Sequence, residues 1–212
     1  MPLQLKLGDL RQKVFQQQRK ALIVFVVDAS ESMGEGTVAR MKAAKGTILG
    51  LLATAYQKRD QVALVAVRGR KAEVLLRPTS SILLARQSLR QLPVGGATPL
   101  ADGLQQAWQI VRTARQKQPD LQPTLLLVSD GEANIPLVPG ADVFSELLLL
   151  ARELRKERLE TIIIDSSSTA GGNHKLRRLA AELGGLYRQV RDLHAGRLYA
   201  IIRHAGQEMS ND

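Results

Sequence analysis

Short apolar runs alternate along the chain with longer segments in which apolar residues recur at helical spacing. The first run, Ala21–Val27, is apolar throughout, which is typical of a strand buried on both faces of a sheet. From Thr37 to about Tyr56 the apolar residues return every three to four positions, which predicts a helix. The same patterns predict strands at Val62–Val67, Ala72–Leu76, Thr124–Val128, Thr161–Ile164 and near Tyr187–Val190, and helices at Ser80–Leu92, after Pro99, at Phe144–Glu157, around Lys175–Leu183 and near Leu193–Ala205.

This order of elements predicts the fold class. Strands separated by helices pair in parallel, because a crossover connection returns the chain to the same end of the sheet. The connection Arg68–Lys71 is too short for a crossover and predicts a hairpin. We therefore expect an α/β domain with a doubly wound, mainly parallel six-stranded sheet, one antiparallel edge strand, and helices on both faces.

Length and composition suit one domain. The chain has 212 residues, of which 44% are hydrophobic, enough for a packed core. We expect a basic extension at residues 1–20, the domain at 21–205 and a polar tail at 206–212. The extension lacks the apolar stretch of a secretory signal, no apolar run approaches the roughly 18–20 residues of a membrane helix, and cysteine is absent. These features favour a soluble, cytoplasmic protein without a membrane partner.

The net charge of +10 favours an acidic partner, whether nucleic acid, anionic lipid or a protein surface. The basic residues are spread along the chain, and aromatic residues make up only 3%, so stacking platforms for single-stranded nucleic acid are scarce. An acidic protein is therefore favoured over nucleic acid. The basic residues of the predicted hairpin, Arg68, Arg70 and Lys71, either discourage aggregation at a sheet edge or contact that partner.

Carboxylate and hydroxyl side chains concentrate in three loops. Asp28, Ser30 and Ser32 follow the first strand, Thr98 lies in a glycine-rich loop before a helix, and Asp130 follows the fourth strand. A lone Asp after a strand usually closes a turn. Ligands of such sheets, however, bind beyond the carboxyl ends of the strands where the strand order reverses, which is where these residues are expected. Hard oxygen donors suit Mg²⁺, Mn²⁺ or Ca²⁺, and a partner's carboxylate can fill an open coordination position.

The order and spacing of these residues resemble a known family. Asp28-x-Ser30-x-Ser32, a separate Thr98 and a later Asp130-Gly131 resemble the metal-ion-dependent adhesion site (MIDAS) of von Willebrand factor A domains. The segments VVDASESMG, AAKG, AYQKRDQVAL, GGATPLADGL and LLLVSDGEAN are similar to the C-terminal domain of the D-type subunit of magnesium chelatase, over roughly residues 20–205. The resemblance implies that Ser30, Ser32 and Thr98 contact the ion directly, whereas Asp28 and Asp130 act largely through water.

The resemblance also implies a function. The chain would be a non-catalytic interaction module of an ATP-dependent chelatase that inserts Mg²⁺ or Co²⁺ into a tetrapyrrole. Its partners would be a AAA+ ATPase and a large chelatase subunit, with a partner's acidic residue completing the metal shell. The alternative is a partner of a MoxR-type AAA+ chaperone that activates metalloenzymes. The AAA+-like domain and the acidic, proline-rich linker of the D-type chelatase subunits are not in this sequence. Gly34–Thr37 also lacks the Lys-Ser/Thr of a Walker A motif, so we expect no nucleotide to bind this chain.

Independent catalysis is not expected. Phosphoryl-transfer enzymes of the haloacid dehalogenase type need a second Asp where this chain has Ser30. A serine hydrolase needs Gly-x-Ser-x-Gly, but Ala29 and Glu31 flank Ser30, and no histidine is spaced to act as its base. We expect Asp102 to bond backbone near a helix N-terminus, Asp165 to belong to a plain polar loop, and Trp108 to lie in the core.

Overall fold

The computed structural model of the chain describes residues 20–29, 37–92, 95–189 and 199–200, with the backbone alone for 37–45 and 47. It confirms the predicted α/β fold. The strands are β1 (Ala21–Asp28), β2 (Gln61–Val67), β3 (Glu73–Thr79), β4 (Gln122–Ser129), β5 (Glu160–Asp165) and β6 (Leu186–Gln189). The helices of this part of the chain are α1 (Thr37–Gln57), α2 (Ile82–Arg90), α3 (Leu100–Lys117), α4 (Val143–Lys156) and α5 (His174–Leu183).

The sheet has the strand order β3-β2-β1-β4-β5-β6. All neighbouring strands are parallel except β2 and β3, which form the predicted antiparallel edge. The chain builds one half of the sheet outward from β1 and the other half outward from β4, so the strand order reverses between these two strands. A crevice opens at such a reversal, beyond the carboxyl ends of the strands. Asp28 and Asp130 both lie there.

Alternation along the strands divides the core into two layers. In β1, Leu22, Val24 and Val26 pack in a cluster with residues of α3, α4 and α5. The intervening Ile23, Phe25 and Val27 pack with residues of α1 and α2. Every residue of β1 is therefore buried, which explains why its sequence is apolar without alternation.

The edge strand β3 differs most from its prediction. It runs from Glu73 to Thr79, although Ala72–Leu76 was expected. Pro78 is tolerated because the outer side of an edge strand needs no hydrogen-bond donor. The pairing with β2 also shifts register on both sides of Leu64, so the strand departs from regular alternation.

Other expectations have mixed outcomes. Ser81 caps α2, and Gly184 ends α5 in a left-handed conformation with φ 69°. Trp108 is only half-buried, against a prediction of core, and the Arg112 guanidinium lies 4.8 Å from the centre of its ring. Of the predicted last helix only residues 199–200 are described. Within the described residues, no helix combines the length and the apolar character needed to cross a membrane.

Candidate metal centre

Three of the five predicted metal ligands lie in the described part of the chain. Asp28 is the last residue of β1, Asp130 follows β4 directly, and Thr98 precedes α3. All three are buried, with exposed fractions of 1%, 7% and 0%. Ser30 and Ser32 lie outside the described residues, so their role stays a prediction.

Ser129 connects the two aspartates. Its Oγ donates a hydrogen bond of 2.7 Å to Asp28 Oδ2, because β1 and β4 are neighbours in the sheet. The same Oγ accepts a bond of 3.0 Å from the Gly131 N–H. One hydroxyl thus orients the carboxylate of the first loop and closes the backbone turn of the other. Sequence analysis assigns no role to Ser129, because its contact with Asp28 depends on the register of β1 and β4.

The Asp130 turn is tightly packed. Asp130 Oδ1 accepts a bond of 3.1 Å from the Glu132 N–H, a turn that Asp favours. Gly131 has φ +87°, and a Cβ added there would lie 2.6 Å from Asn173 Nδ2. Asn173 Nδ2 donates a bond of 2.7 Å to the Asp130 carbonyl oxygen. The turn therefore has little freedom, and position 131 requires glycine.

The backbone groups of Thr98 make hydrogen bonds, whereas its hydroxyl makes none with the described residues. Its N–H donates to Asn134 Oδ1 at 2.6 Å, and its carbonyl accepts from the N–H groups of Asn134 at 3.2 Å and Leu100 at 2.9 Å. Among the described residues, its buried Oγ1 has no hydrogen-bond partner. Leaving such an atom unsatisfied costs about 1–3 kcal/mol. A divalent cation is a partner that would satisfy it, so the site fits the predicted metal.

Glycines hold the Thr98 loop against its neighbours. The Gly95 N–H donates a bond of 2.7 Å to the Ala29 carbonyl at the end of β1. A Cβ on Gly96 would lie 3.1 Å from both N and Cα of Gly69, so the loop touches the backbone of the basic hairpin. Arg70 and Lys71 at that hairpin are exposed. The hairpin therefore borders the loop that carries Thr98.

Two further aspartates at this edge bind protein groups. Asp102 Oδ2 accepts a bond of 2.7 Å from the Ala72 N–H, so the backbone it contacts belongs to the hairpin and not to its own helix start as expected. Asp165 is buried at 1% exposure, which corrects its expected place in a plain polar loop. Burial acts to raise the pKa of Asp165, but bonds from the Tyr187 hydroxyl and the N–H groups of Asn173 and Ser167 together lower this pKa below its usual value.

In the described ranges no three His, Cys, Asp or Glu side chains come together as a metal site. The candidate centre itself offers two carboxylates, and its remaining predicted donors are hydroxyls. Such a donor set balances the charge of a divalent ion without crowding anions around it. It suits a hard cation such as Mg²⁺.

Known proteins are similar to this chain in sequence and in fold. A family model for the von Willebrand factor type A domain matches residues 23–132. The 67 kDa magnesium-chelatase subunit of Chlorobaculum parvum is 35% identical over 189 residues, covering 84% of this chain and 30% of that subunit. The 60 kDa magnesium-chelatase subunit of Cereibacter sphaeroides is 39% identical over 164 residues, covering 76% and 28%. The chain thus spans less than a third of the length of these relatives.

A solved structure extends the likeness of the fold. Proximal thread matrix protein 1 from the mussel byssus, with a zinc-occupied MIDAS motif, superimposes with a TM-score of 0.60 at 19% sequence identity. The match covers 89% of this chain and 46% of that one. At 19% identity, this similarity is evidence for the fold alone.

Proposed function

Since this chain belongs to the von Willebrand factor type A domain family, we propose that it is a divalent-cation-dependent protein-binding module. Its partner is a AAA+ ATPase in a complex that inserts a metal ion into a tetrapyrrole at the expense of ATP. The observation that carries the proposal is the buried Thr98 hydroxyl, which lacks a hydrogen-bond partner among the described residues at the point where the strand order reverses. The similarity to magnesium-chelatase subunits supports the choice of complex.

In this proposal the metal is held by Asp28, Ser30, Ser32, Thr98 and Asp130, and it is Mg²⁺, with Mn²⁺ or Ca²⁺ able to replace it. The bound ion supplies an open coordination position for a carboxylate of the partner. The chain contributes the geometry: Ser129 orients the Asp28 carboxylate, and Asn134 joins the Thr98 and Asp130 loops. The ion belongs to the interface and is distinct from the ion that the complex inserts. The chain itself is a non-catalytic subunit.

Charge supports an acidic partner. The net charge of +10 attracts an acidic surface over a distance of about 10 Å at moderate salt. The hairpin with Arg68, Arg70 and Lys71 touches the Thr98 loop through Gly69 and Gly96. An acidic surface on the ATPase, or on a large chelatase subunit, could therefore contact the hairpin while one of its carboxylates reaches the metal.

The test is affinity capture of the tagged chain from its native lysate, in Mg²⁺ and in EDTA. The Asp28→Asn/Asp130→Asn variant keeps the size of both side chains and removes their charge. Asp120→Asn serves as the matched control, because this residue is exposed in the turn before β4, at the opposite end of that strand. Captured proteins are identified by mass spectrometry.

We expect a AAA+ ATPase to be captured in Mg²⁺ by the wild type and by Asp120→Asn. It should be lost in EDTA and in the double variant, because neither presents a metal to the partner. If the same proteins bind regardless of metal and of the two aspartates, the proposal is wrong, and the basic surface becomes the better candidate for the interface.

A further inference from the structure

Asn173 lies beside the carboxyl ends of β4 and β5. It is the N-cap residue of α5, which follows β5 in the chain. β5 pairs with β4 in a register that places Asp165 beside Ser129, and the Ser166 N–H donates a bond of 2.9 Å to the Ser129 carbonyl. The Asp130 turn and the loop before α5 are therefore neighbours at the carboxyl edge of the sheet. Asn173 is a direct link between them.

Both the oxygen and the nitrogen of the Asn173 side-chain amide make hydrogen bonds. Oδ1 accepts bonds from the N–H groups of Lys175 at 2.8 Å and Leu176 at 3.3 Å, which caps the helix. Nδ2 donates the bond of 2.7 Å to the Asp130 carbonyl. Ser, Thr and Asp also cap helices, but the hydroxyl of Ser or Thr is too short to span both contacts, and ionised Asp has no proton to donate. The amide combines an acceptor for the helix with a donor for the turn.

The backbone of Asn173 is fixed as well. Its N–H donates to Asp165 Oδ2 at 2.7 Å and approaches the Tyr187 hydroxyl oxygen at 3.1 Å. The Tyr187 hydroxyl in turn donates to Asp165. Asp165 ends β5 and Tyr187 lies in β6, so the position of Asn173 is set by two strands. The sheet can therefore hold the Asp130 turn through a single side chain.

From this geometry we infer that Asn173 is a positioning residue for the candidate metal centre: its amide fixes the backbone of Asp130 and thereby the direction of the Asp130 carboxylate. This inference rests on the proposed metal site. It adds a residue outside the five predicted ligands and outside the loops that carry them. Side chains that hydrogen-bond to metal ligands commonly change metal affinity by about 10- to 100-fold when they are removed.

The test compares Asn173→Ser with Ser81→Ala. Serine keeps a helix cap at position 173 but does not reach the Asp130 carbonyl. Ser81→Ala removes the cap of α2, a helix on the other face of the sheet that follows the edge strand, and so controls for a loss of stability away from the site. The dissociation constant of Mn²⁺ is measured by electron paramagnetic resonance of free Mn²⁺, and Tm is measured in EDTA. Hydrogen exchange of the Gly131 and Glu132 amides is followed by NMR in EDTA.

We expect Asn173→Ser to raise the dissociation constant about tenfold, and to lower Tm because the Asp130 carbonyl loses its bond from Nδ2. Ser81→Ala should lower Tm and leave Mn²⁺ binding unchanged. Asn173→Ser should also speed exchange at Gly131 and Glu132 about tenfold, because both amides bond within the turn that it releases. A helix cap with no further role would not change this exchange.

The outcomes separate the inference from the function on which it rests. Wild-type affinity for Mn²⁺ in Asn173→Ser overturns the inference and leaves the metal site intact. A wild-type chain that does not bind Mn²⁺ overturns the proposed function, and exchange in EDTA then decides whether Asn173 holds the turn. Unchanged exchange at both amides overturns that role too.

Discussion

At the scale of single residues, we expect the Thr98 hydroxyl to destabilise the fold without metal and to stabilise it when Mg²⁺ is bound. Without metal, the buried Oγ1 lacks a partner among the described residues and destabilises the fold. We expect Thr98→Val to raise the free energy of unfolding by about 1 kcal/mol in EDTA. The same substitution should abolish most of the stabilisation that Mg²⁺ gives the wild type. Urea unfolding with and without Mg²⁺ measures both effects.

The control for this substitution is Thr113→Val on α3. The Thr113 hydroxyl is exposed and donates to the Gln109 carbonyl, so its loss should not change the effect of Mg²⁺. If Thr98→Val lowered stability in EDTA and left the Mg²⁺ effect intact, the hydroxyl would serve the fold and not a metal.

Sequence analysis could identify the site residues whose type and position along the chain indicate a role without knowledge of their contacts in the fold. Asp28 and Asp130 follow apolar strands, and Thr98 follows two glycines, so each stands out along the chain. Ser129 and Asn173 do not, because each acts through a contact set by strand register or by packing between loops. The roles of Ser30 and Ser32 stay predictions.

At the scale of elements, α3 packs closely against the sheet. A Cβ on Gly103 would lie 2.4 Å from Val67 Cγ2 and 3.2 Å from Val26 Cγ1. We expect Gly103→Ala to lower the free energy of unfolding by about 1–3 kcal/mol, because α3 must move away from β1 and β2. Mg²⁺ binding should weaken as well, since Thr98 precedes the first turn of α3. Urea unfolding and a Mg²⁺ titration check the two effects.

Gly46→Ala is the matched control for Gly103→Ala. Gly46 lies within α1, and an added Cβ would meet nothing within 4 Å. Alanine there should raise stability by about 0.5–1 kcal/mol through its better helix propensity. If Gly103→Ala raised the free energy of unfolding as Gly46→Ala should, α3 would have space for a Cβ at position 103, and the proposed close packing would be wrong.

Element types were predictable because apolar runs and helical spacing are properties of a chain segment. Boundaries were less so. The edge strand β3 continues through Pro78 because its outer side is unpaired, a condition that the local sequence does not state. The central β1 was predicted to within one residue, since burial on both faces leaves a continuous apolar run.

At the scale of the whole molecule, the sheet has a second polar end, opposite the candidate centre. Glu160 begins β5 and pairs with Thr124 in the register, where its Oε2 accepts a bond of 3.2 Å from the Thr124 hydroxyl. Burial raises the pKa of Glu160 from 4.5 to about 7, although the Thr124 bond acts to lower it. The folded chain therefore keeps a proton that the unfolded chain releases between these pH values.

Stability should fall as the pH rises through this range, because the folded state binds more protons than the unfolded state. We expect Glu160 to contribute a loss of about 1–2 kcal/mol between about pH 4.5 and pH 7, after allowing for solvent screening of this partly exposed carboxyl. Glu160→Gln should flatten that part of the profile, measured by urea unfolding. Glu153→Gln, at an exposed position on α4, is the control, and an equal slope in both variants would contradict the assignment.

The backbone contact between Gly69 and Gly96 also limits how this sequence can diverge. Both glycines have positive φ, and a side chain on Gly96 would press on the hairpin backbone at 3.1 Å. An insertion that moves the hairpin backbone would displace the Thr98 loop, and a side chain at Gly96 would displace the hairpin, whereas a side chain at Gly69 would meet nothing within 4 Å. We therefore expect lineages that alter the basic hairpin to acquire compensating changes around Thr98, so that the proposed partner surface and the proposed cation site change together.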